Sequence, residues 1–378
     1  MKKIISLLVV IVMSATLMTS CSKKAKEVGD SKGKPIDINV EYDNKKLGDG
    51  IVAMVGDEAI TEDEAEFYLA LLSSSVFQQS GLENASKEEK DKQLDSDFDD
   101  EYTFREMIYK QCIESLVNVT LLAELGKAKG IDYTDEKLKE AYEKNGMLEQ
   151  KEEMKKLYNV TDSGIDAYTK KQFIYSDYAQ QYLQEDERMN PDEAALKEYF
   201  NENFYKAKHI LKMTVNQETN EPLSEDEKAK VKKNAEKILS EVKGGSDFDK
   251  AVENESEDPG SKSQPEGYVF TEGEMVTEFY EGTKALKVDE ISDIVETSYG
   301  YHIIKRLPLN DSDYANNTDK VKSAYQNVAF EKLIEDEKAK NKIYVDYEKL
   351  LNINGVFYVS LSDTQSESET VADKKQEE

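Results

Sequence analysis

The two histidines of this 378-residue chain, His209 and His302, each lie in a short segment whose apolar side chains alternate as in a β-strand. "KAKHILKMTV" surrounds the first and "TSYGYHIIKR" the second. Alternation places His209 on one face with Leu211 and Met213, and His302 on one face with Ile304. If the two segments pair antiparallel at the centre of one sheet, the imidazoles can lie side by side. The sequence therefore predicts a sheet that joins strands far apart in the chain.

The residues between these strands predict a separate α+β domain. A helical pattern in "SEDEKAKVKKNAEKILSEVKGG" stops at two glycines, and a tight turn at Tyr299-Gly300 joins the last two strands. The predicted order from Ala207 to Leu307 is β-α-α-β-α-β-β. We expect a central antiparallel sheet with flanking helices and a core of its own.

The rest of the ordered chain predicts mainly α-helices. A capping box at Thr61 begins one helix, and an amphipathic pattern from Glu101 to Lys129 predicts a long one. Helical periodicity returns at about residues 318–341. We expect residues 49–205 plus 308–355 to form one helical lobe, with the domain of residues 206–307 inserted in it or following it. Residues 356–378 predict a disordered acidic tail.

The N-terminus, "MKKIISLLVVIVMSATLMTSC", is typical of a secretory signal. It has a basic start and an apolar core too short for a permanent membrane span. The residues before Cys21 resemble a bacterial lipobox, with Met18 where leucine is usual. This predicts a signal peptide over 1–20, a lipid on Cys21 and a flexible tether over 21–48. A plain secretory signal without lipid is the alternative.

Charge and cysteine content exclude several classes of function. The net charge of −29 at pH 7 argues against nucleic acid as a partner, because binding requires neutralised phosphates. Cys112 is the only cysteine besides Cys21, so no internal disulfide is expected. Cys112 belongs to an apolar helix stripe and is predicted to be core, together with Ile108, Leu116, Val119 and Leu122. Neither cysteine nor a third histidine lies near His209 or His302, so no metal site is predicted.

From about Lys206 to Leu307 the chain resembles the parvulin family of peptidyl-prolyl isomerases. Four segments carry the resemblance in the family's order and near its spacing, namely "AKHILKM", "GGSDFDKAVENESEDPGSK", "GEMVTEFYEG" and "TSYGYHIIK". With the lipobox, the whole chain resembles the PrsA-type foldases, which are extracytoplasmic lipoproteins with a helical chaperone lobe. "IVAMVGDEAIT" also resembles the start of that lobe in PrsA and SurA proteins.

The resemblance implies four catalytic residues. His209 and His302 fall on the two active-site histidines of parvulins. Asp258 falls where parvulins have Cys or Asp, and Thr297 falls on the threonine that hydrogen-bonds the histidine network. The alternatives are that His209 and His302 are hydrogen-bonded core residues, that Asp258 is an ordinary turn residue, and that Thr297 simply ends a strand.

The resemblance also implies a proline pocket. Met275 and Phe279, at helical i,i+4 spacing, fall on its apolar floor, although both could be ordinary helix core. In "PEGYVF" the chain departs from the family, because Glu266 replaces a common glycine and the pocket-wall leucine has no clear counterpart. Tyr268 or Phe270 is expected to take its place.

The expected function is cis/trans isomerisation of X–Pro bonds by a foldase tethered outside the cell membrane by Cys21, on a Gram-positive surface by resemblance. Its partners would be unfolded, newly secreted chains, with no cofactor; a homodimer stays open. The acidic loop "NQETNEPLSEDE" predicts no preference for phosphorylated substrates. The alternatives are a holdase with little isomerase activity and an unrelated surface lipoprotein such as a solute-binding protein, whose βαβ rhythm the chain lacks.

Overall fold

A computed structural model describes residues 42–353, except 100, 101, 184, 217, 218, 220 and 262. The predicted signal peptide, Cys21, most of the tether and the acidic tail lie outside the described residues. Those described form two compact units, one of residues 42–186 with 330–353 and one of residues 187–329. Among them, no helix combines the length and the apolar character needed to cross a membrane.

The first unit is mainly helical. Its strands are β1 (Asp43–Asn44), β2 (Ile51–Val55), β3 (Glu58–Thr61) and β8 (Ile343–Val345). Its helices are α1 (Glu62–Gln79), α2 (Lys87–Leu94), α3 (Phe104–Ala128), α4 (Asp135–Lys144), α5 (Leu148–Tyr158), α6 (Asp162–Tyr178) and α13 (Tyr347–Leu351), with a π-helical turn at Ala179–Leu183. Helix α12 (Thr318–Lys340) ends in this unit. The strands form one sheet in the order β1-β8-β2-β3.

Local signals fix where these helices begin. The Thr61 side chain accepts from the backbone N–H of Glu64 at the start of α1. A capping box between Thr103 and Glu106 starts α3, slightly later than the predicted start at Glu101. Cys112 is fully buried on α3. Its predicted place in the core is therefore confirmed, as is that of its stripe neighbours Ile108, Leu116, Val119 and Leu122.

The predicted tether overlaps an ordered strand at its C-terminal end. Asp43 pairs with Tyr344 and Asn44 with Val345, in parallel, as β1 joins β8. The backbone N–H of Leu47 also donates to Asp346, 2.9 Å away. These pairings tie residues 43–47 to the C-terminal strand, so a free tether cannot extend to residue 48.

The second unit contains the predicted α+β domain. Its elements are α7 (Glu193–Asn203), β4 (Tyr205–Met213), α8 (Glu225–Lys243), α9 (Phe248–Glu255), β5 (Tyr268–Phe270), α10 (Thr277–Lys284), β6 (Ile291–Thr297), β7 (Gly300–Leu307), α11 (Asp311–Asn316) and the start of α12. From β4 to β7 the order is the predicted β-α-α-β-α-β-β. The strands form a fully antiparallel sheet in the order β5-β4-β7-β6, which confirms the α+β fold class.

This sheet has a separate core on each face. Ala207, Phe270, Phe279, Tyr280 and Ile304 pack together on the face covered by α10. The opposite face packs against α8 and α9 through another cluster, formed by Ile210, Ile238, Val242, Phe248 and Ile303. Because His209 and His302 share the parity of Ala207 and Ile304, both imidazoles lie on the α10 face.

The second unit also extends beyond residues 206–307 on both sides. Helix α7 with the residue after it, helix α11 and the start of α12 share a hydrophobic cluster, formed by Leu196, Phe200, Phe204, Tyr314 and Val321. Lys206 on β4 forms a buried ion pair with Asp313 on α11, with 2.8 Å between Nζ and Oδ1. These contacts join the flanking helices to the sheet, whereas the sequence assigned them to the helical lobe.

Candidate active site

The two histidines meet at the centre of the second sheet. In the antiparallel pairing of β4 and β7, His209 lies opposite Ile304 and His302 lies opposite Leu211. This register makes the imidazoles diagonal neighbours on one face, with ring centroids 5.2 Å apart. The alternation of apolar residues predicted this arrangement, and the structure agrees.

Thr297 fixes the outer end of the histidine pair. Its Oγ1 lies 2.9 Å from Nε2 of His302, and the backbone N–H of Tyr299 donates to the same Oγ1 at 3.1 Å. The Thr297 hydroxyl can donate either to Nε2 of His302 or to the carbonyl oxygen of Gly300, 3.5 Å away. Which partner it takes depends on whether His302 carries its proton on Nδ1 or on Nε2.

The other ring nitrogen of each histidine, Nδ1, lacks a hydrogen bond. Within the described part of the chain, Nδ1 of His209 and Nδ1 of His302 are both buried and have no hydrogen-bond partner. Buried polar atoms without partners are rare, and they are often found where chemistry takes place. The two atoms therefore mark the histidine pair as the candidate centre of the site.

Asp258 closes the network at the other end. Its Oδ2 lies 3.6 Å from Nε2 of His209 and accepts hydrogen bonds from Tyr268 Oη at 2.6 Å and Ser261 Oγ at 2.7 Å. The backbone N–H of Gly260 donates to Oδ1 at 3.2 Å. Sequence reasoning missed Ser261, although a Ser three residues after an Asp in "EDPGS" is a common turn pairing.

Burial determines the charge state of the network. The pKa of His302 is lowered to about 3 by desolvation and by the neighbouring His209, against the opposing effect of Asp258. Desolvation also lowers the pKa of His209, against the opposing effect of Asp258. Burial raises the pKa of Asp258, but hydrogen bonds from Tyr268 and Ser261 outweigh it, so the net pKa is below the ordinary value. Near neutral pH the site therefore holds two neutral imidazoles and one carboxylate.

These shifts predict a pH-dependent stability for the second unit. A histidine whose pKa is lower in the folded state than in the unfolded state favours the folded state when it is neutral. Its contribution to the free energy of unfolding is complete above the unfolded pKa of about 6.5 and is lost as the pH falls below that value. Below about pH 6.5, each histidine should lower the free energy of unfolding by up to about 1.4 kcal/mol per pH unit. Urea unfolding at pH values from about 7.5 to about 5 measures this loss of stability. The stability of a His209→Gln/His302→Gln variant should change much less over the same range. An equal loss in both proteins would contradict the assignment of neutral buried imidazoles.

Apolar side chains border the histidines. The Phe279 ring lies 5.0 Å from His209 and 5.4 Å from His302, edge-on to both. Met275 is partly buried against the cluster that contains Phe279. The prediction that both belong to one helix was wrong, because α10 begins at Thr277 and Met275 lies two residues before it, ahead of the non-helical N-cap residue Val276. The two side chains nevertheless pack against the same cluster.

The two candidates for the pocket wall differ in exposure. Phe270 is fully buried, with its ring 5.7 Å from that of Phe279, so it packs behind Phe279 in the same cluster. Tyr268 is only partly buried, and its ring stacks on His209 at 5.6 Å. Of the predicted pair, Tyr268 is therefore the one that can form the wall.

Comparisons with known proteins point to one family. Residues 209–307 match the family model for the rotamase, PPIC-type PPIase domain. Foldase protein PrsA from Caldanaerobacter subterraneus subsp. tengcongensis is 28% identical over 310 residues, which span 81% of this chain and 82% of that protein. PrsA from a Geobacillus strain is 38% identical over 122 residues, which span 29% of this chain and 44% of that protein.

Among solved structures, a crystal structure of PrsA from Bacillus cereus aligns over 63% of this chain and 84% of that one, at 19% identity and with a TM-score of 0.33. The family model and the curated relatives carry the assignment. The matched range begins at His209 and includes Asp258, Thr297 and His302. Residues 209–307 therefore form a PPIC-type peptidyl-prolyl cis-trans isomerase domain of the parvulin family, in a chain that is similar to PrsA foldases over most of its length.

Proposed function

We propose that the chain isomerises X–Pro bonds of unfolded polypeptides at the network of His209, His302, Asp258 and Thr297. The apolar side chains beside the network would bind the proline ring, with Met275 and Phe279 as the floor and Tyr268 as the wall. The observation that carries this proposal is the buried histidine pair, whose rings both lie against Phe279 and whose Nδ1 atoms have no hydrogen-bond partner among the described residues.

The chemistry of the reaction fits such a site. No covalent bond breaks, and the barrier of roughly 18–20 kcal/mol is the loss of amide resonance as the C–N bond twists. A catalyst needs only to bind the twisted amide better than either planar isomer. Phe279 and Met275 would hold the pyrrolidine ring while the fixed, desolvated polar atoms of His209 and His302 interact with the twisted amide. Asp258 orients His209, and Thr297 orients His302.

A nucleophilic route has little support. Asp258 stands where some parvulins have a thiol, and its carboxylate oxygens already accept from Tyr268, Ser261 and Gly260. An anion held by three donors is a poor nucleophile toward an amide. Its position, with Oδ2 3.6 Å from Nε2 of His209, favours an electrostatic role.

The cellular setting follows from the N-terminal sequence. We infer that Cys21 becomes the first residue after cleavage of residues 1–20 and carries lipid that anchors the protein outside the membrane. The PrsA relatives are named foldases, which fits assistance to secreted chains. Mass spectrometry of the N-terminal peptide from the membrane fraction tests the anchor. A Cys21→Ser protein that stays with the membrane as firmly as the wild type would contradict it.

Refolding of a protein limited by proline isomerisation separates the foldase from the holdase alternative. The uncatalysed step takes about 10–100 s. Catalytic amounts of the full chain should shorten that phase several-fold, because an enzyme turns over. A holdase would leave the phase unchanged and suppress aggregation only near equal molar amounts. Unchanged kinetics with aggregation suppressed would make the holdase the better description.

A further inference from the structure

Tyr268 contacts the site with two different parts of its side chain. Its ring stacks on His209, with centroids 5.6 Å apart and planes 28° from parallel. Its hydroxyl donates to Oδ2 of Asp258 at 2.6 Å. That distance is typical of a charge-assisted O–H···O⁻ bond. The same residue therefore touches the imidazole and holds the carboxylate that faces it.

The loop beside Asp258 leaves space for this hydroxyl. A Cβ atom on Gly260 would lie 2.2 Å from Tyr268 Oη and 3.2 Å from its Cζ. The backbone of Gly260 is not in the left-handed region, so the glycine answers a need for space rather than for an unusual backbone. Any larger residue at this position would displace the hydroxyl from Asp258.

The next glycine in the segment directs Tyr268 into the site. Gly267 has φ +94°, and a Cβ there would lie 2.8 Å from the carbonyl oxygen of Ala207 on β4. Only glycine accommodates both the left-handed backbone and the close approach. Gly267 thus lets β5 start tight against β4, where Ala207 pairs with Tyr268 itself.

We propose that Tyr268 is a positioning residue, whose hydroxyl holds Asp258 so that Oδ2 faces Nε2 of His209 and keeps the proton of that imidazole on Nε2. This inference rests on the proposed function of the network. Nδ1 of His209, which has no hydrogen-bond partner among the described residues, is then left as an acceptor. The tyrosine ring forms the pocket wall at the same time.

The Tyr268 hydroxyl keeps its proton and can therefore always donate a hydrogen bond to Asp258. Burial and the adjacent Asp258 carboxylate raise the pKa of Tyr268 far above neutrality, so its hydroxyl stays protonated. Oδ2 of Asp258 accepts a second hydrogen bond, from the hydroxyl of Ser261, the loop residue next to Gly260. The carboxylate is consequently held from two directions, by a loop and by a strand.

Separate effects on kcat and KM distinguish the role of the Tyr268 hydroxyl from that of its ring. Tyr268→Phe keeps the wall and loses the donor, so we expect KM within about twofold of wild type and kcat lower by about tenfold. Gly260→Ala should also lower kcat, because its methyl group displaces the hydroxyl; it moves the ring as well, so only Tyr268→Phe tests that KM is kept. Tyr280→Phe, in the same apolar cluster but outside the network, is the matched control and should leave both constants unchanged.

Nitrogen NMR of the imidazoles gives a readout independent of activity. With only two histidines in the full chain, selective ¹⁵N-histidine labelling yields two ring systems, which His302→Gln assigns. At neutral pH we expect His209 to be protonated at Nε2 in wild type and in Tyr280→Phe. Tyr268→Phe and Gly260→Ala should both show a mixture of tautomers.

The outcomes distinguish this inference from the function on which it rests. A wild-type chain without isomerase activity would defeat the proposed function, while the tautomer of His209 would still decide the role of Tyr268. An unchanged His209 signature in Tyr268→Phe and in Gly260→Ala would overturn the positioning role, even in a fully active enzyme. If Tyr268→Phe fails to fold, Gly260→Ala alone carries the test.

Discussion

Replacement of His302 by alanine should lower kcat/KM for an X–Pro peptide by about 10²-fold. Loss of one preorganised polar group from a desolvated site typically costs 10²–10³ in rate. The change also leaves Thr297 Oγ1 without its 2.9 Å partner. A protease-coupled peptide assay on the full chain gives the rates, and urea unfolding shows whether the variant is folded.

Two further variants make the His302 result specific. Tyr301→Phe alters the adjacent residue on β7, whose side chain points to the opposite face of the sheet near Lys232. We expect wild-type kcat/KM for it. His302→Gln keeps a polar side chain and should lie between wild type and alanine. If His302→Ala matched wild type in rate, the histidine pair would have no part in catalysis.

Replacement of Lys171 by alanine should destabilise the first unit by about 3–5 kcal/mol, because it leaves a buried carboxylate without its cation. Glu64 on α1 is 1% exposed, and its Oε2 lies 2.8 Å from Nζ of Lys171 on α6. The other oxygen, Oε1, is buried and has no hydrogen-bond partner among the described residues. Burial raises the pKa of Glu64 in spite of Lys171.

Urea unfolding of the full chain, followed by far-UV circular dichroism, measures this loss. Lys46→Ala is the control, since its ion pair with Glu348 is solvent-exposed and should leave the unfolding midpoint unchanged. The double variant Glu64→Gln/Lys171→Met replaces both charges and should recover most of the lost stability. A shift for Lys171→Ala no larger than that for Lys46→Ala would show that the buried pair contributes nothing.

The sequence predicted those parts of the fold that repeat over several residues. Alternation along β4 and β7 placed His209 and His302 on one face, and caps such as Thr61 located helix starts. The two-residue strand β1 has no period to detect, and its parallel partner β8 lies some 300 residues away. The overlap of the predicted tether with this strand could not be foreseen for that reason.

The candidate site was predicted by resemblance more than by physics. Motif order supplied Asp258 and Thr297, but no local pattern says that Tyr268 donates to Asp258 across a loop. Met275 was assigned to a helix because its spacing to Phe279 is four, whereas Val276 is a non-helical N-cap and α10 begins only at Thr277. Such details depend on tertiary contacts, which spacing alone does not record.

Exchange NMR on an X–Pro peptide tests the central claim most directly. With a catalytic amount of the full wild-type chain, cis and trans resonances should exchange within about a second, against about 10–100 s without a catalyst. The peptide must also shift resonances of the second unit, which shows that it binds. Binding without any exchange faster than the uncatalysed rate would contradict the assignment of His209 and His302 as an isomerase site.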